Sequence, residues 1–147
     1  MHNGTTLELA DIQSGVLRPR PSPFAATYIA LRVDDRKAGR EVIGRLANVA
    51  TSAADPASKL DNTWASVALS YQGLKALGVP EPALDTLSWE FRQGMAARAA
   101  DLGDVGDSSP DKWEDPFCSS AVHIVITAVS PTRELLEASI ARARQAY

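Results

Sequence analysis

The chain is poor in the residues that usually hold metals or cross-links. It carries one cysteine, Cys118, and two histidines, His2 and His123. A lone thiol excludes an internal disulfide, and one thiol with two imidazoles falls short of the Cys and His set of a structural zinc site. Cys118 reads as an exposed loop thiol. Long apolar runs are also missing. The most apolar stretches, Phe24 to Val33 and Ala121 to Val129, are strand length and well below the roughly 20 residues of a membrane-spanning helix. The opening MHNGTTLELAD has neither a basic leader nor an apolar segment, so it does not have the pattern of a secretory signal, and the expected location is cytoplasmic. A net charge of −3 argues against a nucleic-acid or anionic-membrane partner. No G-x-S-x-G, Walker loop, H-E-x-x-H or C-x-x-C occurs.

The chain does have enough length for one domain. Its 147 residues can bury a substantial core, and 45% hydrophobic with 22% charged residues is the balance of a globular protein. Alternating Pro19, Pro21 and Pro23 forbid a helix and favour an extended arm over residues 1–23. Arg18 and Arg20 on that arm could meet an acidic ligand, but they read first as solvated. Phe24 to Val33 predicts a strand whose more apolar face is Ala25, Thr27, Ile29, Leu31 and Val33. Asp34 or Asp35 is placed to cap a helix with an apolar stripe of Ala38, Val42, Leu46 and Ala50, flanked by Ile43 and Ala47. After a loop at 51–62 come a strand at Trp64 to Ser70, a helix at Tyr71 to Leu77 stopped by Gly78 and Pro80, acidic turns, and a helix at Trp89 to Ala100. Ala121 to Val129 predicts a third strand, with His123, Val125, Thr127 and Val129 on one face. Ser130-Pro131 then predicts the start of a last helix, with Leu136, Ile140, Ala143 and Tyr147 on its inner side.

Several words in this order carry a resemblance. Asp11-Ile12-Gln13-Ser14-Gly15-Val16-Leu17-Arg18 opens the chain, and Tyr71, Gly73, Leu74, Ala76, Leu77 and Gly78 follow the second strand. Phe91-Arg92-Gln93-Gly94-Met95, Arg98-Ala99, Leu102-Gly103-Asp104, Trp113-Glu114 and His123 come next. Together they resemble the first part of the dye-decolourising (Dyp-type) haem peroxidases, from D-I-Q-G-x-I-L-R onward, with Ser14 as a departure. The resemblance implies an α+β, ferredoxin-like antiparallel sheet with helices on one face, half of a dimeric α+β barrel. The element order supplies βαββαβ except its final strand. It further implies residues 24–147 as a ferredoxin-like N-terminal domain, ending before the haem-binding C-terminal domain.

The same resemblance sets limits. The family's distal aspartate lies in G-x-x-D-G, and no two of the nine glycines stand four residues apart. Its proximal haem histidine lies far downstream. The complete family protein uses haem b and hydrogen peroxide to oxidise dyes and phenolics. This chain alone is expected to bind no haem, to be inactive, and to contain no catalytic, cofactor-binding or metal residue.

The remaining candidates have plain alternatives. His123 reads as a packed strand histidine before it reads as a ligand. Asp101, Asp104, Asp107, Asp111, Glu114 and Asp115 cluster in one loop, but their spacing does not match an EF-hand and a solvated acidic loop is favoured. Trp64, Trp89, Trp113, Tyr28, Tyr71 and Tyr147 could be oxidisable surface residues next to a haem. Without one they read as core and interface residues. The expected partners are a second copy of the chain or the missing C-terminal domain. The other reading is a non-catalytic ferredoxin-like interaction or dimerisation module.

Overall fold

The computed structural model describes residues 7–147, so His2 lies outside the described residues. A 3-10 turn, Leu9–Asp11, and a one-turn helix α1, Ser14–Leu17, precede strand β1, Ala25–Leu31. Helix α2 (Arg36–Leu46) and a 3-10 turn (Ala57–Leu60) lead to β2, Trp64–Leu69. The insert contains α3 (Tyr71–Ala76), α4 (Glu81–Leu84), α5 (Trp89–Ala97) and α6 (Ala99–Leu102). Strand β3 (Ile124–Ser130) and α7 (Arg133–Arg144) close the chain. The sheet order is β1-β3-β2, with the last strand inserted between the first two. Thr63 stands opposite Ser130 and Ser70 opposite His123, which makes β2 and β3 antiparallel. The fold is α+β with an antiparallel sheet, as expected, in the strand order of a split βαβ unit.

The chain divides into two compact units. The first holds residues up to 28, then 42–67 and 126–147; the second holds 29–41 and 68–125. In the first unit the segment expected to be an extended arm is partly helical, at 9–11 and 14–17, and the proline-rich stretch after it has no regular structure and bends at 22–23. Its attachment explains why. Ser14 is fully buried, donates its hydroxyl to the Ser52 carbonyl at 2.7 Å, and takes the Thr51 carbonyl on its backbone N–H at 2.8 Å. Leu46, Ile126, Ala128 and Val129 are buried here, and Thr63 and Ser130 share a buried hydroxyl–hydroxyl bond of 2.9 Å.

Helix α7 begins later than Ser130-Pro131 suggested. Thr132 is the cap, its hydroxyl accepting from the Leu135 N–H at 3.3 Å, because Ser130 is still paired in β3. Its buried face is Leu136, Ser139 and Ala143, with Ala146 buried just past its end; Tyr147, expected inside, is exposed. Helices α5 and α7 each hold an acid in the first turn. The Glu90 and Glu134 carboxyls are pulled below the ordinary carboxylate range by their own backbone N–H groups, then by the hydroxyls of Ser88 and Thr132.

In the second unit Asp35 caps α2, accepting from the Ala38 N–H at 2.8 Å. The inner face of α2 is rotated by one residue from the expected stripe. Gly39 is buried with Val42 and Ile43 half-buried, while Ala38 and Ala47 are exposed. The cause is close packing of Gly39 against Val33 and Leu77, where a Cβ would come within 2.7 Å and 3.1 Å of their side chains. The helix expected over Trp89 to Ala100 is broken. Gly94 takes φ 75° and ψ 175°, a conformation outside the helical region that glycine tolerates, and the chain resumes in α6.

Candidate functional site

The site that sequence reasoning singled out most sharply, His123, lies just before β3 rather than within it. Four neighbours hold it. Its backbone N–H donates to the Leu31 carbonyl at 2.9 Å, and its own carbonyl accepts from the Ser70 N–H at 3.1 Å. The Ser70 hydroxyl donates to the Val122 carbonyl at 2.7 Å while accepting the Gly73 N–H at 3.0 Å, so it caps α3 and ties it to the start of β3. Gly73 is buried directly against the His123 carbonyl. That contact gives a physical reason for the glycine in the Tyr71–Gly78 word.

The imidazole is engaged as well. Its Nδ1 accepts the Val33 backbone N–H at 2.9 Å. An accepting Nδ1 carries no proton, so the neutral ring has its proton on Nε2. A metal-bound histidine has the opposite arrangement, with the second nitrogen donating its N–H to an oxygen. Iron on Nε2 would therefore require an imidazolate or the loss of the Val33 bond. The residues around His123 do not fit a haem ligand.

The other candidates are dispersed. The acidic loop does not converge: Asp111 accepts from the Ser109 hydroxyl and lies 3.7 Å from Lys112, and the Trp113 indole N–H donates to the Ser108 carbonyl at 2.9 Å. Among the described residues no group of three or more His, Cys, Asp or Glu is placed to hold a metal ion. Cys118 is exposed, as read from the sequence. Of the six aromatic candidates only Trp64 is core. Trp89, Tyr28 and Tyr147 are exposed and Tyr71 and Trp113 half-buried, so of the core and interface reading only Trp64 is placed in the core. Trp89 lies under the Arg98 guanidinium, 5.7 Å from its ring centre. Arg18 reaches the Ala53 carbonyl at 3.4 Å, and Arg20 lies over the Phe24 ring at 5.3 Å.

Sequence reasoning missed what Gln13 does. Its side-chain amide donates to the Val67 carbonyl at 2.9 Å and accepts the Val67 N–H at 2.7 Å. One side chain thus satisfies both outward backbone groups of a β2 residue, as a neighbouring strand would. Thr51 serves Ala65 in the same way, donating its N–H to the Ala65 carbonyl at 2.9 Å and accepting the Ala65 N–H on its hydroxyl at 3.2 Å. The free edge of β2 is closed by these two residues. Asp-Ile-Gln was visible as a word, but nothing in the sequence said which strand the glutamine would meet.

A family profile for the DyP dimeric alpha+beta barrel domain matches residues 25–147. The chain belongs to that family. Solved structures agree on the fold. An ancestral D-type dye-decolorizing peroxidase superposes with TM-score 0.78 at 24% identity, over 97% of this chain and 32% of that one. A fungal DyP-type peroxidase from Auricularia auricula-judae gives TM-score 0.75 at 22% identity, over 97% and 31%. A dye-decolorizing peroxidase whose heme pocket was engineered for asymmetric sulfoxidation gives 0.73 at 22% identity, over 95% and 30%. The chain spans about a third of the length of these peroxidases. No curated protein sequence matches it. The DyP resemblance read from the motifs, and the ferredoxin-like α+β fold it implied, are both shown. Among the described residues no helix is long and apolar enough to cross a membrane.

Proposed function

We propose that this chain is the non-haem-ligating N-terminal part of a dye-decolourising peroxidase. In this reading residues 24–147 are a structural domain with the 1–23 arm attached. Catalysis of peroxide-dependent dye or phenolic oxidation, and haem b itself, belong to sequence beyond this chain. No residue here is assigned a catalytic, cofactor-binding or metal role. The observation that carries this reading is the Val33 N–H donated to His123 Nδ1, which occupies the nitrogen that a neutral iron-bound imidazole would need as a donor. The enclosed cavity of the first unit, about 170 Å³, is below the roughly 300–1,000 Å³ of pockets that take drug-sized ligands, and the larger hollow of about 500 Å³ is open and lined by the charged residues Asp35, Arg36, Lys37, Arg40 and Glu41 rather than by an apolar haem pocket. A cytoplasmic location is part of the proposal, since an exposed unpaired Cys118 suits a reducing compartment.

Hemin titration tests it. Purified chain should give no stoichiometric Soret shift and no peroxide-dependent dye oxidation. A sharp one-to-one shift that disappears in His123→Ala would refute the assignment.

A second reading, a self-associating module, is favoured by one observation. Strand β1 has a neighbour only on its β3 side among the described residues, and its sequence, AATYIAL, has no charge and no proline to discourage pairing.

A further inference from the structure

The first unit contains a cavity that the peroxidase reading does not use. The turn after α2, the Ala57–Leu60 turn, the start of β2 and α7 surround a space of about 170 Å³. Its lining includes Asn48, Lys59, Asp61, Trp64, Ser139 and Arg142. Two cations from different elements thus face one carboxylate, in a chain whose net charge is −3.

These cations are available. Arg45 gives its guanidinium to the Ala146 carbonyl at 2.8 Å, whereas Arg142 has no carboxylate within ion-pair distance among the described residues. Lys59 pairs with Asp55 at 2.7 Å, but that is a solvated i,i+4 pair of the kind that holds weakly. The floor hydroxyls are spent: Thr63 on Ser130, and Thr51 on Ala65. Ser139, Lys59 and Arg142 remain to recognise a ligand, with the Asn48 amide held only by a long 3.4 Å bond to the Gly44 carbonyl.

The wall is shaped at some conformational cost. Asp61 and Asn62 both adopt left-handed backbone, φ 48° and 53°, which non-glycine residues rarely do consecutively. The Asn62 N–H to the Ala57 carbonyl, 3.0 Å, and the Thr63 N–H to the Leu60 carbonyl, 2.7 Å, hold that turn closed.

We infer that this cavity binds a compact oxyanion, a phosphate or a small dicarboxylate, held by the Arg142 fork and the Lys59 ammonium above Trp64. A guanidinium binds either group through paired N–H donors. The volume admits an anion of that size and excludes a nucleotide. Asp61 opposes the binding by like charge and sets its strength.

Trp64 provides the readout. In the full chain carrying Trp89→Phe and Trp113→Phe it is the remaining tryptophan of three. Fluorescence would be followed during titration with inorganic phosphate and, separately, succinate, with chloride keeping the ionic strength constant. A saturable change with one or both is expected, and which of them saturates identifies the ligand class. Arg142→Ala should weaken binding about tenfold, the loss of a charge-assisted hydrogen bond. Asp61→Asn, which keeps a left-handed-tolerant residue, should tighten it. Amide NMR of the unsubstituted chain serves as a second measurement, with shifts expected at 48, 59, 61, 139 and 142. A response no different from chloride, or Arg142→Ala binding as well as the parent, would overturn the site.

Discussion

A methyl group at Gly73 would enter the His123 carbonyl, because α3 lies against the start of β3 with no room between them. The Ser70 cap and the His123 backbone bonds fix both sides of that contact, so neither can easily move away. Gly73→Ala should therefore destabilise the chain by about 3 kcal/mol in urea unfolding, at the upper end of overpacking costs. Gly44 provides the contrast. It is interior to α2 and a Cβ there meets nothing within 4 Å, so Gly44→Ala should stabilise by about 0.5–1 kcal/mol. Equal effects at the two positions would mean that the α3–β3 contact is not as close as described. At this same scale the His123 ring shows why residue type alone could mislead. A histidine near a strand end invites a ligand reading, and only the Val33 bond shows which nitrogen holds the proton.

Among the elements, the two outer edges of the sheet are treated differently. β2 is closed by Gln13 and Thr51, whose side chains replace a strand's hydrogen bonds without adding a strand. Gln13→Ala would leave the Val67 N–H and carbonyl without these partners. We expect a loss of about 2 kcal/mol, two partly buried hydrogen bonds, with faster amide exchange at Val67. No change in exchange there would mean that the arm does not close this edge in solution. The elements also show where local pattern is unreliable. Periodicity located α2, but a glycine packed against Val33 and Leu77 turned its inner face by a residue. Pattern extended one helix through Gly94, where a left-handed φ breaks it.

At the scale of the whole molecule, the open element among the described residues is β1. Its seven residues carry no charge, and Tyr28 on its outer face is 60% exposed. Edges of this kind pair with other chains unless a charge or proline interrupts them. We expect a dimer or larger assembly by light scattering at micromolar concentration, reduced to monomer by Tyr28→Lys. A stable monomer in the parent chain would count against the self-association reading and leave the proposal of a peroxidase N-terminal part untouched.

The order of strands and helices, the absence of a disulfide and the family were legible in the sequence. They depend on local chemistry: alternation, glycine and proline positions, capping residues, and short words that occur together. Helix boundaries were less legible, since Ser130 and Thr132 are both good caps and the length of β3 chose between them. The roles of particular side chains were decided only by tertiary structure. Gln13 and Val67, and His123 and Val33, are each far apart in sequence, so no local rule pairs them. Hydrogen bonding and electrostatics act over a few ångströms, and the fold alone sets which groups come that close.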